Sequence, residues 1–229
     1  GQLTVPFGAR FDVTAAARAA RETKRASIDN AVTVPGLSVI SRSLTPAASP
    51  DGAPVNGALD RASEVIAWSL TPRLQLGEDR MLYATWARGG KFGGFNTGFG
   101  NAPLVEREFG DERIDHLEAG GRMRFGGGRG RLGASAFSTR YRDYQDAAFM
   151  SAQFTIGNVG RVDLEGAELE AEYLFPSGTH TTLALSYADL EYAKNPTGMC
   201  YPGRPPDGSV PGACDLAGEH PIDAPPWQA

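Results

Sequence analysis

Apolar and polar residues alternate with a period of two along several stretches of the chain, whereas the spacing typical of an amphipathic helix is rare. The clearest stretch is "GAELEAEYLF" (166–175), in which glutamates occupy one parity and apolar residues the other. Successive side chains of a β-strand point to opposite faces, so this pattern predicts a strand with one wet and one apolar face. The same two-faced pattern recurs in residues 11–22, 66–76, 117–125 and 181–187.

Two segments are harder to interpret. Residues 12–26 are rich in alanine and arginine, which favour helix, but their alternation matches the other stretches and no capping residue precedes them, so we expect a strand. In residues 131–144, Leu132 lies on one parity while Phe137 and Tyr141 lie on the other, and the faces of this predicted strand stay unassigned.

The connections between predicted strands alternate between short and long. The short ones are 6–10, 77–80, 126–130 and 176–178, the long ones are 25–61, 92–113 and 194–225, and a shorter return lies near 145–153. Short turns therefore fall on one edge of the predicted sheet and long loops on the other, which is typical of outer-membrane β-barrels. A soluble sandwich has no reason to segregate loop lengths in this way.

Aromatic residues of the apolar parity fall at two heights along the predicted strands. Those beside the short turns are Phe11, Phe125, Tyr173 and Phe175, and those several residues further along are Trp68, Trp86 and Tyr187. Two such levels match the aromatic girdles at the two interfaces of a membrane barrel, and core packing in a sandwich is the alternative. The predicted strands exceed the ~9–11 residues that span a membrane, so we expect polar ends such as "RYRDYQD" (140–146) to extend beyond the outer leaflet.

Composition and charge narrow the class of protein. The 229-residue, 24.3 kDa chain carries 22 basic and 27 acidic side chains, and this net charge of −5 argues against nucleic-acid binding through bulk charge. No apolar run approaches the ~18–20 residues of a membrane helix. The chain begins at Gly1 without a basic and apolar leader and stops just after an apolar residue, so we expect an internal piece of a longer protein.

The two cysteines, Cys200 and Cys214, lie in one predicted loop and are separated by a stretch rich in glycine, proline and serine. A disulfide closing this ring would contribute about 3 kcal/mol in the chain-entropy model, and it would imply an oxidising compartment. Free thiols and half of a metal site are the alternatives. No histidine lies between the cysteines, so zinc is poorly supported.

We predict no catalytic residue, metal site or cofactor. His116, His180 and His220 fall in separate segments and in no HExxH or triad motif, and the sequence contains no G-x-S-x-G elbow. The glycine-rich "ARGGKFGGFNTGFG" (87–100) lacks the spacing of a phosphate-binding loop, and we expect it to be a flexible loop after a strand.

The polar parity of the predicted strands carries charges of both signs. Glutamates two residues apart on one strand stand roughly 7 Å from each other and cannot surround an ion. We expect Glu168, Glu170 and Glu172 to line water and to pair with cross-strand arginines such as Arg122 or Arg124. The residues predicted to face the lumen, either along a ligand path or as structural wall, are Arg18, Arg73, Glu118, Arg122, Arg124, Glu168, Glu170 and Glu172.

Several motifs resemble segments of TonB-dependent outer-membrane receptors. "MLYATWARGGKFGGFN" (81–96) is similar to a strand that ends in an Arg-Gly step and a Gly-Gly-Phe-Asn loop. "GNVGRVDLEGAELEAEYLF" (157–175) is similar to the Asn-x-Gly…Gly-x-Glu strand and matches it at Asn158, Gly160, Gly166 and Glu168. Residues 15–24, 70–76 and 214–227 resemble three further segments of the family, each with substitutions.

This resemblance covers nearly the whole chain and implies both a fold and a function. The implied fold is all-β: a fragment of a large antiparallel transmembrane β-barrel over residues 1–229, with about seven long strands plus two cut ones, short periplasmic turns and long extracellular loops, and without the plug and closing strands. The implied function is active uptake of a scarce ligand, such as a ferric siderophore, across the bacterial outer membrane. TonB would energise it through the absent plug, and the full-length protein would be a monomer in outer-membrane lipid.

Two other classes of protein remain open on the sequence. A passive porin-type channel would share the barrel but would lack a plug. A soluble, secreted β-sandwich that binds glycans would use the apolar faces as a shared core. We also expect the isolated fragment not to function, because a partial barrel leaves two open edges that a bilayer does not tolerate.

Overall fold

The computed structural model of the protein describes residues 1–28, 56–97, 104, 107–150, 153–209, 212–221 and 225–228. The strands are β1 (Gln2–Phe7), β2 (Phe11–Ile28), β3 (Gly57–Gln75), β4 (Arg80–Lys91), β5 (Gly94–Phe95), β6 (Glu108–Phe109), β7 (Glu112–Phe125), β8 (Gly130–Arg142), β9 (Gln145–Met150), β10 (Gln153–Asn158), β11 (Arg161–Leu174), β12 (His180–Lys194), β13 (Gly198–Met199), β14 (Ala213–Cys214) and β15 (Trp227–Gln228). The part of the chain that the structure describes contains no helix long and apolar enough to cross a membrane.

Nine strands form one antiparallel sheet in the order β1-β2-β3-β4-β7-β8-β11-β12-β15. The seven inner members are 12 to 19 residues long, and the edge strands β1 and β15 have 6 and 2 residues. The prediction of about seven long strands plus two further ones in an antiparallel all-β sheet is therefore confirmed. Residues 12–26 lie within β2, so the choice of strand over helix is confirmed as well.

Loop lengths segregate as the sequence predicts. Short turns join β1 to β2, β3 to β4, β7 to β8 and β11 to β12, and the long connections lie at the opposite edge. The "GGGRG" turn after β7 uses positive φ at Gly126 (60°), Gly127 (67°) and Gly128 (86°), a region that glycine enters without steric cost. Most of the predicted loop 25–61 lies outside the described residues, because 29–55 are not among them.

Three long connections contain small sheets of their own: β5 with β6, β9 with β10, and β13 with β14. The return predicted near 145–153 is larger than expected. It is a hairpin in which β9 and β10 pair from Met150↔Gln153 back to Gln145↔Asn158. The sequence pattern understated it because only the tip of the hairpin reads as a turn.

The hydrophobic core of the described residues lies at the loop end of the sheet. Val162 of β11 and Tyr192 of β12 pack there with Cys214 and Leu216 of the following loop, and all four are at most 6% exposed. Large apolar side chains of the long strands stay exposed, such as Trp86 at 53% and Leu117 at 56%. A sandwich would bury these side chains under a second sheet, so the described residues contradict that alternative.

Candidate functional site

All the residues predicted to face the lumen share one face of the sheet, because directly opposed residues of antiparallel strands point the same way. Arg73 opposes Asp12, Glu118 opposes Phe137, and Glu168 opposes both Ser135 and Ser186. Followed from strand to strand, this register defines the polar face. It carries Arg18, Arg73, Glu118, Arg122, Arg124, Glu168, Glu170 and Glu172.

The ion pairs of the polar face differ from those expected. Arg124 lies 3.1 Å from Asp79 in the neighbouring turn, and Glu172 lies 3.9 Å from Arg131. The predicted pairing of the glutamates with Arg122 or Arg124 is wrong, because β8 stands between β7 and β11 and places Arg131 opposite both Arg124 and Glu172. Arg73 pairs with Asp12 at 2.8 Å, across β2 and β3.

Aromatic residues in the middle of the polar face were not predicted from the sequence. The Tyr83 hydroxyl donates to Glu118, and His116 Nδ1 lies 2.8 Å from Thr139 Oγ1. Phe137 occupies the space that a side chain at Gly166 would need on the adjacent strand. The signal in the sequence is a glycine in one strand opposite an aromatic residue in the next, and it becomes readable only once the register is known.

The opposite face, here called the apolar face, carries the aromatic residues at two levels. Near the short turns, the Phe125 and Tyr173 rings stack with centroids 5.8 Å apart. Nearer the long loops, Trp68 and Trp86 pack edge to face at 4.8 Å. These pairs stand where the predicted girdles require them. The apolar strip between them is exposed, with Leu82 and Leu183 both at 48%, as expected of a lipid-facing wall.

Beyond the second aromatic level, the apolar face turns polar, as expected for strands that continue past the bilayer. Arg88 pairs with Asp115 at 2.6 Å, and Arg140 pairs with Asp163 at 3.2 Å. Arg142 lies 3.5 Å from the second oxygen of Asp115.

The described parts of the long loops 92–111, 143–160 and 195–221 form one hydrogen-bonded unit, here called the loop cap. The Asn158 side chain donates to the carbonyls of Gly110 (3.1 Å) and Asp143 (2.7 Å) and accepts from the Gly110 amide. Gln145, 8% exposed, donates to the carbonyls of Phe92 (3.1 Å) and Gly110 (2.9 Å). These amide side chains replace the partners that loop backbone would otherwise find in water.

The described part of the glycine-rich segment, residues 87–97, is not the flexible loop that we expected. β4 continues through Gly89 and Gly90 to Lys91, and Lys24 then donates to the Gly93 carbonyl at 2.7 Å. The Gly93 amide donates to Asp111 at 2.7 Å, and Arg61 lies 3.1 Å from the same carboxylate. Glycine is needed here for close approach, since a Cβ at Gly93 would lie 2.8 Å from Arg61 Nε.

Asp111 and Arg61 form an ion pair, and each favours the charged form of the other. Partial burial works against ionisation of Asp111, but hydrogen bonds from Gly93, Ser63 and Arg61 outweigh it and lower the pKa of the carboxyl. The anion therefore persists at the edge of the polar face and holds the start of the 92–111 loop.

The disulfide predicted between Cys200 and Cys214 is present in the 195–221 loop. Arg204 lies 2.6 Å from Glu219 and 3.1 Å from Asp207, and it donates to the Asp215 carbonyl at 2.6 Å. These contacts fold the loop around the disulfide.

Tyr192 joins this loop to the β9–β10 hairpin. Its hydroxyl donates to Asp146 at 2.7 Å, and its ring lies in the core with Cys214 and Leu216. Burial, and then the hydrogen bond to the Asp146 carboxylate, raise the pKa of the phenol. Ionising it would place two negative charges side by side, so the contact requires the neutral phenol.

Among the described residues, no group of three or more histidine, cysteine, aspartate or glutamate side chains could hold a metal ion. One antiparallel sheet with a charged face, an exposed apolar face between two aromatic levels, and long loops at one edge defines the wall of a membrane β-barrel.

The family model described as TonB dependent receptor-like, beta-barrel, matches residues 1–229. The chain therefore belongs to the TonB-dependent receptor β-barrel family, whose members are bacterial outer-membrane receptors. In the comparison with curated proteins, nothing matches the chain.

Solved structures of larger proteins share this fold. The ferric yersiniabactin uptake receptor FyuA from Yersinia pestis matches with a TM-score of 0.64 and 21% identity over 83% of this chain and 26% of that one. The siderophore receptor PiuA from Acinetobacter baumannii gives 0.61 and 16% over 90% and 27%, and the copper transporter OprC gives 0.60 and 18% over 84% and 28%. The chain thus spans between 26% and 28% of these structures, and at such identities the likeness shows the fold alone.

Proposed function

We propose that this chain forms one section of the wall and extracellular loops of a TonB-energised outer-membrane receptor that imports a scarce ligand such as a ferric siderophore. Family membership and the siderophore receptors among the similar structures support this proposal. The observation that carries it is the loop cap, because the described parts of these loops are tied together at the end of the polar face where a ligand would enter.

In this proposal the polar face is the wet wall of the barrel interior. Arg18, Arg73, Glu118, Arg122, Arg124, Glu168, Glu170 and Glu172 line it. Most of their charges are exposed or lie in exposed ion pairs, such as Arg131–Glu172 with side chains 71% and 49% exposed. Water therefore solvates the face, which suits a channel through which a bulky ligand passes after a plug has moved.

The remaining strands and the plug would come from other parts of the receptor. Large barrels of this kind have 22 strands and a plugged lumen. Outer-membrane lipid would cover the apolar face, and the TonB complex would act on the plug of a monomeric receptor. The wall described here would then be scaffold, and its loops would help to capture the ligand.

Uptake measurements on the full-length receptor test this function. Cells that express the receptor and lack other siderophore receptors would be given radiolabelled iron bound to a panel of siderophores, with and without an intact TonB gene. We expect accumulation that requires both the receptor and TonB. Accumulation that persists without TonB would contradict energised import and favour the passive channel.

A variant of the loop cap links this function to the described residues. Asn158→Ala removes two hydrogen bonds to Gly110 that join two loops and a third to Asp143 within its own loop, so we expect uptake at limiting ligand to fall several-fold while the barrel still inserts. Ser177→Ala, in a short turn at the other edge of the sheet, is the matched control and should leave uptake unchanged. Equal uptake by both variants would show that the loop cap does not contribute to ligand capture.

A further inference from the structure

The apolar face contains a crevice at its loop end. Pairing between β3 and β4 reaches upward only to Trp68↔Arg88, although β3 extends back to Gly57 and β4 on to Lys91. The two strands therefore part above the second aromatic level, and a cavity of about 520 Å³ lies there. We propose that this crevice binds the phosphate group of a phosphorylated lipid of the outer leaflet.

The crevice has an apolar lower part and a cationic upper part, which suit the acyl chains and the phosphate of such a lipid. Its lower lining is apolar, with Ile66 and Trp68, and its upper lining contains Arg88, Arg113 and Arg142. Register places all five side chains on the apolar face, where lipid would lie. Acyl chains would pack below, and the headgroup would meet the guanidinium groups above.

The local charge leaves room for an anion. Arg88 and Arg142 share the single carboxylate of Asp115, which is 19% exposed. The side chain of Arg113 is exposed and has no hydrogen bond or ion pair within the described part of the chain. Arg113 opposes Arg142 and lies two residues from Asp115, so this part of the apolar face carries three arginines beside one acid. A phosphate can accept paired hydrogen bonds from more than one of these arginines.

Most of the other acidic residues that line the crevice already have partners. Glu64 lies 3.7 Å from Arg21, and Asp111 contacts Arg61 and the Gly93 amide. Glu112 accepts a hydrogen bond from the backbone amide of Gln145 at 2.8 Å. A backbone amide does not cancel the charge of Glu112, and Asp143 is a further acid of the lining. Register places Glu112 on the polar face, opposite Lys91, whereas the three arginines lie on the apolar face.

The height of the crevice agrees with a headgroup. Arg88 lies two residues beyond Trp86, so its Cα stands about 7 Å further along the strand than the tryptophan level. Tryptophan marks the membrane interface, and cations just outside it meet the negative surface of the leaflet. This inference rests on the proposed contact of the apolar face with lipid, and it is independent of the imported ligand.

Native mass spectrometry of the full-length receptor tests the inference. The receptor would be titrated in detergent with lipid A and with the same lipid A stripped of its phosphates. We expect the intact lipid to be retained. The Arg113→Gln/Arg142→Gln variant should bind it about 10-fold or more weakly, because it can no longer donate charge-assisted hydrogen bonds to the phosphate from these two positions. The stripped lipid should bind the native receptor as weakly as the intact lipid binds the variant.

Two controls make the result specific. Arg18→Gln/Arg131→Gln removes two arginines from the polar face and should retain the lipid fully, and Arg113→Lys/Arg142→Lys should weaken binding less than the glutamine variant. Heat-modifiable gel mobility verifies that each barrel is folded. Equal retention in all variants, equal binding of the stripped lipid, or binding of inorganic phosphate as tightly as the lipid would each overturn the proposal. Import by TonB plays no part in these measurements, so a failure of import leaves this result standing.

Discussion

The sheet and the 195–221 loop obtain their stability from different surroundings. Cys214 and Leu216 of the loop are nearly inaccessible, as is Tyr192 at the loop end of β12, while apolar side chains in the middle of the sheet, such as Leu82, are about half exposed. In the proposed receptor the loop end stands in water, so it needs a core, a disulfide and buried hydrogen bonds. The apolar face of the sheet would need no second protein layer, because lipid would cover it.

The largest effect is expected from a charged side chain on the apolar face of the sheet. Ala134 lies on the apolar face between Gly121 and Leu169, so Ala134→Arg should lower the free energy of unfolding in vesicles by about 2–4 kcal/mol, the cost of arginine near the bilayer midplane. Ala184→Arg is the matched control on the polar face, where its neighbour is Glu170. We expect its effect to stay below about 1 kcal/mol. Urea titration of the full-length receptor measures both, and equal losses would refute the assignment of the faces.

The corresponding change in the loop region removes the disulfide. Cys200→Ser/Cys214→Ser should make local opening of the 195–221 loop easier by about 3 kcal/mol, because the ring is no longer closed in the opened state. Amide hydrogen exchange would show faster exchange there and unchanged exchange in β7 and β8. Loss of protection throughout the sheet would mean that the two regions do not form separate units.

A smaller effect is expected from the contact between Tyr192 and Asp146. Tyr192→Phe removes a hydrogen bond to a carboxylate and should ease opening of the loop cap by about 1.5–3 kcal/mol, again by hydrogen exchange. Tyr201→Phe, in the same loop, is the control and should change little.

The same contact predicts a pH dependence. The pKa of Tyr192 is raised in the folded state, so its contribution is complete below the ordinary tyrosine pKa of about 10 and is lost as the pH rises above it. The loop cap of the native receptor should therefore open progressively above about pH 10. Limited proteolysis across that range checks this, and the Tyr192→Phe variant should lack this component of the transition.

The smallest effect should come from exposed charges of the polar face. Arg131 and Glu172 are 3.9 Å apart with side chains 71% and 49% exposed, so Arg131→Gln should change the free energy of unfolding by less than about 1 kcal/mol. A larger loss in the urea titration would indicate that this face is drier than a water-filled interior.

The sequence predicted the sheet well and the loops poorly, for a physical reason. Alternation identifies a strand whenever its faces meet different solvents, as in 166–175. The faces of β8 could not be assigned from its alternation because Phe137 and Tyr141 lie on the polar face. Phe137 is accommodated there by Gly166 on the neighbouring strand, a contact that only the register reveals.

Contacts between segments that are distant in the chain were likewise not predictable from the sequence. The expected partners of the glutamates were wrong because the sequence does not say that β8 separates β7 from β11. The disulfide could be predicted because both cysteines lie in one loop, whereas the ties made by Asn158 and Gln145 join segments far apart in the chain.

The most direct test of the account is the accessibility of β8 in the full-length receptor in vesicles. Single cysteines at positions 132 to 138 would carry a spin label, and its collisions with oxygen, which concentrates in lipid, and with a nickel complex, which stays in water, would be compared. We predict a period of two, with oxygen favoured at Leu132, Ala134 and Ala136 and nickel favoured at Gly133, Ser135 and Phe137. An absent or inverted alternation would contradict a wall with lipid on one face and water on the other.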